Sequence, residues 1–289
     1  MKNIFKIEIF VLLIFLIFSI YSYAHIYTNL FSDNYAFNEL FINYQAGLVR
    51  RGLLGEIFWR IHSYYNVDAR LFFGYLFYIL YIIQIIFLYL VLKKNLNNKL
   101  FYIFILFSPA LILFSIYDPK VFFVKDIFSK ITILIHAYLI LFYDRKLYHK
   151  YLKYILIPVL TVSILIHEYQ VLFLGIHLLF TITKLNNYLN LRSICKIYSF
   201  LILPTVFTLI FIGNSEVYSE LSSLLSKFDV TLHDQLEGGF YKKFGGFYKW
   251  HFFYFSYNDF INFFLSSIFS LLVPIIIYGN FLDNKIINV

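Results

Sequence analysis

Residues 154–183 read YILIPVLTVSILIHEYQVLFLGIHLLFTIT, thirty positions that are almost wholly apolar except for the adjacent pair His167-Glu168. As one straight helix this stretch would measure about 45 Å, against about 30 Å for the hydrocarbon core of a bilayer. It would also carry an ionisable pair near the membrane centre, where a charged side chain costs several kcal/mol or stays neutral. As two short helices that meet at His167-Glu168, the same residues form a hairpin whose apex reaches the outer surface. Counting lysines and arginines gives the same cytoplasmic total for both topologies. Length and the cost of burying Glu168 therefore select the hairpin, and with it the side of the membrane on which everything downstream lies.

The composition agrees with a membrane protein. Of 289 residues, 61% are hydrophobic and 14% charged, with a mean hydropathy of +0.75, well outside the soluble range. A net charge of +8 suits an anionic bilayer surface, and because no contiguous solvated basic patch exists, nucleic acid is excluded as a partner. Cys195 is the only cysteine, which rules out an internal disulfide and a thiolate metal cluster.

Working outward from the hairpin, the predicted fold is all-α: a polytopic transmembrane helix bundle with about eight membrane segments, forming a single integral membrane domain over residues 1–289. Ile4 to Ala24 is a first, uncleaved span; Ser22 and Ala24 also fit a cleavage site, but the apolar core exceeds that of an ordinary signal peptide. Either way residues 25–70 emerge as a structured outer loop. Within it Leu53, Leu54, Ile57, Phe58 and Ile61 recur at helical spacing, predicting a helix along the membrane surface. Asp68 is the expected N-cap of a span Leu71 to Leu92, followed by basic Lys93, Lys94 and Lys99 in the cytoplasm. Further spans are Leu100 to Tyr117, Ile127 to Tyr143, Ile197 to Gly213 and Ile261 to Gly279. Arg145 to Lys153 is expected as an inner loop, and both termini as cytoplasmic. A second outer loop, 214–260, holds the tandem repeat Gly238-Gly239-Phe240-Tyr241-Lys242 and Gly245-Gly246-Phe247-Tyr248-Lys249, read as an interfacial flap.

Four of the six arginines fall between Arg50 and Arg70 in a chain that otherwise uses lysine. A guanidinium offers a planar fork that grips phosphate or carboxylate in two places, which ammonium does not. Two readings stand for the pair Arg50-Arg51 between Gly47 and Gly52: snorkelling to lipid headgroups, or a clamp on a phosphate. On the same expected outer side lie Asp33, Glu39, Asp118, Lys125, Asp126, His167 and Glu168. Carboxylates beside arginines and a histidine are what phosphate binding and general acid-base chemistry require. Asp33 fits equally a base for a sugar hydroxyl and an ordinary turn in Ser32-Asp33-Asn34. His167-Glu168 is not a zincin helix, since the second histidine would fall on Val171. His136 and His177 each sit singly on apolar helices and read as packing residues.

The segment Tyr44-Gln45-Ala46-Gly47-Leu48-Val49-Arg50-Arg51-Gly52-Leu53-Leu54-Gly55, the pair Lys125-Asp126 and Ile166-His167-Glu168 together resemble a group of multi-span bacterial membrane proteins that accompany surface-polysaccharide genes. These are similar to O-antigen polymerases and to C-type glycosyltransferases. The resemblance implies transfer from polyprenyl-phosphate-linked sugars at the outer face of the bacterial inner membrane, with the bilayer and other polysaccharide-assembly proteins as partners and no cofactor; no residues are assigned to a metal site. An acidic base in the first outer loop would be Asp33 or Glu39; His167 and Glu168 would position or protonate the reacting groups; Arg50, Arg51 and Lys125 would hold phosphate, with Asp118 and Asp126 nearby. The alternative is a flippase, transporter or assembly subunit for the same lipid-linked sugars. A shared site requires Arg50 or Arg51 to lie within about 12 Å of His167 or Glu168, the reach of one bound sugar and its pyrophosphate.

Overall fold

The computed structural model describes residues 35–94, 123–185, 188–211 and 215–228, with helical positions between 12 and 24. Contacts divide the chain into two compact units, and all described residues belong to the unit made of Met1–Lys94 and Pro119–Tyr241. Asp33, Asp118, the expected spans Leu100 to Tyr117 and Ile261 to Gly279, and the glycine-aromatic repeats lie outside the described residues.

Among the described residues the structure is all-helical, with no strand. A short α1 (Tyr35–Asn38) winds into a 3-10 turn, Glu39–Phe41. α2 (Leu53–Tyr65) follows the arginine pair and ends on Asn66 in the left-handed conformation. α3 (Ala69–Lys94) starts where expected, with the Asp68 carboxylate accepting from the backbone N–H of Leu71 at 2.9 Å. α4 is Asp126–Phe142. After a tight turn capped by Asp144, whose side chain accepts from Leu147 N–H at 2.8 Å, α5 runs from Arg145 to Ile166. α6 (Gln170–Leu185), α7 (Leu191–Ile210) and α8 (Ser215–Leu225) complete the set. Three of these, α3, α5 and α7, are long and apolar enough to cross a membrane.

The helix does break at His167-Glu168. His167 is extended (φ −150, ψ 111), and Gln170 N–H reaches back to His167 C=O at 3.1 Å. α6 then runs beside α4 in the same direction, as Gln170 meets Thr132, His177 meets His136 and the Lys184 ammonium donates to Ile140 C=O at 2.6 Å. α5 and α6 are thus the two arms of a helical hairpin. Its first arm is longer than expected, because residues 145–153 are helical rather than a loop. Nothing between Asp144 and Pro158 stops a helix. Pro158 itself, which would collide with the carbonyl four residues earlier, is accommodated by a π turn at Leu152–Leu156 just before it.

α3 turns one face inward through Phe73, Phe77, Tyr81, Ile85, Leu88 and Leu92, and packs along α4. At the N-terminal end of α3 a layer of edge-on and tilted rings ties α1 and α2 to this pair. Phe41 meets Phe73 at 5.0 Å, Phe58 meets Phe73 at 5.1 Å, and Phe37 meets Phe123 at 5.1 Å. Such ring pairs contribute about 0.5–1.5 kcal/mol each beyond their burial. A second core, built on Tyr148, Leu152, Leu156, Leu160, Ile164 and Leu201, joins α5 to α6 and α7. α3 and α4 run in the same direction, with Phe77 beside Phe123, Phe87 beside Tyr138 and Lys94 over Phe142, and α5 returns against them; this gathers Lys93, Lys94, Arg145 and Lys146, with Lys184 of α6, at one end, called here the basic rim. The other end receives the arginine loop, the start of α4 and the turn after α5.

Candidate functional site

The arginine loop owes its path to three glycines and one glutamate. Gly47 has φ +132, a conformation open to glycine. At Gly55 a Cβ would lie 2.1 Å from the carbonyl oxygen of Ile42, so only glycine lets α2 press directly on the chain after the 3-10 turn. At Gly52 a Cβ would strike the Tyr44 ring. Glu56 on α2 accepts from Tyr44 N–H at 3.2 Å, from the Gln45 side chain at 3.0 and 2.9 Å, and from Arg60 Nε at 2.7 Å. It fastens the loop to the helix and takes no part in the cluster above it. Arg50 N–H donates to Phe211 C=O at 2.6 Å, fixing the loop to the end of α7.

Arg51 holds a left-handed backbone (φ 66), which costs a non-glycine residue about 1–2 kcal/mol. Its carbonyl accepts from the Lys125 ammonium at 3.2 Å, and its side chain is engaged on both edges. Nε donates to the two Glu168 oxygens at 2.9 and 2.6 Å, Nη2 donates to Glu168 Oε1, and Nη1 donates to Glu39 Oε1 at 2.5 Å. The guanidinium carbon also lies 5.7 Å from the Tyr169 ring centre. Arg50 Nη1 stands 3.8 Å from Glu168 Oε1, and His167 Nε2 stands 3.4 Å from Asp126 Oδ1. Four separate segments therefore supply one cluster, in which Arg50, Arg51 and Lys125 face Glu39, Glu168 and Asp126.

The electrostatics follow from burial. Burial pushes Glu168 toward its neutral form, but the field and hydrogen bonds of Arg51, with His167 and Arg50, outweigh it and hold the carboxylate well below the usual range. Glu39 behaves alike: burial raises it, and Arg51, Lys125 and His167 bring it below its ordinary value. Lys125, with none of its surface exposed, is drawn down to about 8 by burial, against the attraction of Glu39. His167 is lowered by burial and then by Arg51, so it is neutral near pH 7. Its Nδ1 accepts from Tyr169 N–H at 3.3 Å, so the ring proton sits on Nε2 and points to Asp126. Two carboxylates whose folded pKa lies below the unfolded value of about 4.3 contribute stability that is complete above that value and is lost as pH falls below it. His167, kept neutral in the fold, takes up a proton on unfolding below its free value of about 6.5, so the unfolding temperature in detergent should decline gently below about pH 6.5 and drop steeply below about 4.5. A flat profile down to pH 3 would mean that these carboxylates are not ion-paired.

Of the residues singled out from the sequence, Glu39, Arg50, Arg51, Lys125, Asp126, His167 and Glu168 come together, and the distance required for a shared site is met by direct contact. Asp33 and Asp118 lie outside the described residues. Tyr169 was missed, although its place beside His167-Glu168 marked it. The reading of His136 and His177 as solitary packing residues needs correcting. Their Nδ1 atoms are 2.8 Å apart, because α6 folds back along α4 and brings the two apolar helices face to face. The chain matches no protein-family model, no curated protein and no solved structure.

Proposed function

We propose that this protein is a membrane glycosyltransferase or polysaccharide polymerase that acts on polyprenyl-phosphate-linked sugars in surface-polysaccharide assembly. The observation that carries the reading is the buried cluster joining Arg50, Arg51, Lys125, Glu39, Glu168, Asp126 and His167 at one end of an apolar helix bundle. Ionisable groups collected in such a setting mark function by default. The lysines and arginines of the opposite rim argue for that rim being cytoplasmic, which turns the cluster toward the outer face of a bacterial inner membrane.

In this reading the roles within the cluster divide by their contacts. Arg51, engaged by two carboxylates, is a positioning residue. Arg50, whose ion pair to Glu168 is long at 3.8 Å, is the cation that meets the phosphate of the leaving polyprenyl carrier. Asp126, with half of its side chain exposed and oriented by neutral His167, is the carboxylate best placed to take the proton of an acceptor hydroxyl. Glu39 is too firmly held as a carboxylate by Arg51 to serve as an efficient base near pH 7. The test is complementation in cells lacking their own copy of the gene. Asp126→Asn and Arg50→Lys, at wild-type protein level, should abolish long polysaccharide chains and accumulate the lipid-linked precursor. Chains of normal length from both variants would make the cluster a structural clasp, as expected of a non-catalytic assembly subunit.

A further inference from the structure

Beneath the ion-pair cluster a polar seam runs down the interface of α4 and α6. On α4 it consists of Ser129, Thr132 and His136, at helical spacing from Lys125; on α6 it consists of Gln170, His177 and Thr181, and each of these side chains is buried. At its upper end Gln170 Nε2 donates to Thr132 Oγ1 at 3.0 Å, and Thr132 donates to Ser129 C=O at 2.9 Å. At its lower end the hydrogens have only one consistent arrangement. Tyr198 O–H must donate to the carbonyl of His177, 2.9 Å away, so it accepts from Thr181 at 2.8 Å. Thr181 in turn accepts from Tyr148 at 2.9 Å, and Tyr148 accepts from His136 Nε2 at 2.6 Å. Neutral His136 then has a bare Nδ1 and accepts from His177 Nδ1–H. What remains is His177 Nε2, a buried lone pair.

Polar side chains between membrane helices often serve only as glue, and a glue seam satisfies its own members. This one does not. Among the described residues four buried side-chain atoms have no hydrogen-bond partner, and three of them, Ser129 Oγ, Gln170 Oε1 and His177 Nε2, lie on this seam. Leaving such atoms unmet costs about 1–3 kcal/mol each, whereas a line of internal water would satisfy them and link them.

We propose that the α4–α6 seam is a proton path, with His177 Nε2 as its acceptor. A proton arriving by water from the Ser129–Gln170 end forms a bond to His177 Nε2 as the Nδ1–H bond of His177 breaks toward His136. His136 passes its Nε2 proton to Tyr148, Tyr148 to Thr181 and Thr181 to Tyr198. Tyr198, two turns into α7 from the basic rim, gives up the proton it shares with the His177 carbonyl to water entering from that rim. One proton enters and one leaves, and rotation of the hydroxyls and rings resets the chain. The proposal does not depend on the sugar-transfer reading, and its test uses no sugar.

The full chain, reconstituted in phosphatidylethanolamine and phosphatidylglycerol vesicles with an internal pH dye, is given a potassium diffusion potential with valinomycin. Wild-type vesicles should acidify several times faster than protein-free ones. Tyr148→Phe and Thr181→Val keep packing volume but cut the chain, and should return the rate to the protein-free level while leaving incorporation unchanged. His177→Leu should do the same. Wild-type flux at the protein-free rate, or flux in both Tyr148→Phe and Thr181→Val equal to wild type, would overturn the proposal and make the seam glue.

Discussion

Replacing Arg51 with methionine is expected to destabilise the protein by about 3–5 kcal/mol, the range for removing one partner of a buried ion pair. The reason is visible in its contacts: the same guanidinium satisfies Glu39 and Glu168, whose side chains are 6% and 10% exposed. Without it two carboxylates remain buried, with only Arg50, Lys125 and His167 near them. Arg51→Lys keeps the charge but not the fork, and one ammonium cannot bridge both carboxylates as the guanidinium does. It should fall between wild type and Arg51→Met. The decisive comparison is a double variant: Arg51→Met with Glu168→Met removes both members of the tightest pair and should lose clearly less than the sum of the single changes. Unfolding temperature in detergent and protein level in the membrane are the readouts. Arg51→Met unfolding like wild type would show that the carboxylates are solvated and the cluster is open.

Gly55→Ala is the second large effect. A methyl group there would meet the Ile42 carbonyl oxygen at 2.1 Å, and that oxygen belongs to backbone that cannot rotate away. α2 would have to lift off the 3-10 turn, loosening the contacts of Phe41 and Phe58 and moving the loop that carries Arg51. Overpacking of this kind costs typically about 1–3 kcal/mol, and here the Arg51 geometry would be lost as well. Gly52→Ala is the control. Its Cβ would approach only the Tyr44 ring, a side chain that can swing, so stability should fall less. Equal loss in the two variants would mean that the loop does not depend on close approach at Gly55.

The comparison of sequence with structure turns on where each constraint acts. The break at His167-Glu168, the cap at Asp68, the helices over residues 69–94 and 126–142 and the part of α7 from Ile197 onward were legible, because they rest on local quantities: a run length set against bilayer thickness, a carboxylate placed to accept an N–H, a charge that an apolar helix does not hold cheaply; α7 itself begins six residues earlier, at Leu191. The extension of α5 back to Arg145 was not, since basic residues suggest a loop by their charge while their helix propensity is good.

The arginine pair marks the boundary most clearly. Its excess over a lysine-rich background singled the pair out, with a forked clamp and snorkelling as the two readings, and the neighbouring glycines pointed to a special backbone. The identity of what Arg51 grips was beyond reach, because carboxylate and phosphate satisfy a guanidinium alike and Glu168 is 117 residues away. Only the folding of α5 against α4, and of the arginine loop onto the end of α7, brings Glu168 to Arg51. The same packing pairs His136 with His177, each of which looked solitary in its own helix. Local sequence determined which groups this protein possesses and where its helices stop; tertiary structure decided which charges meet, because partner choice depends on the register between helices, and register is set by side chains far apart in the chain.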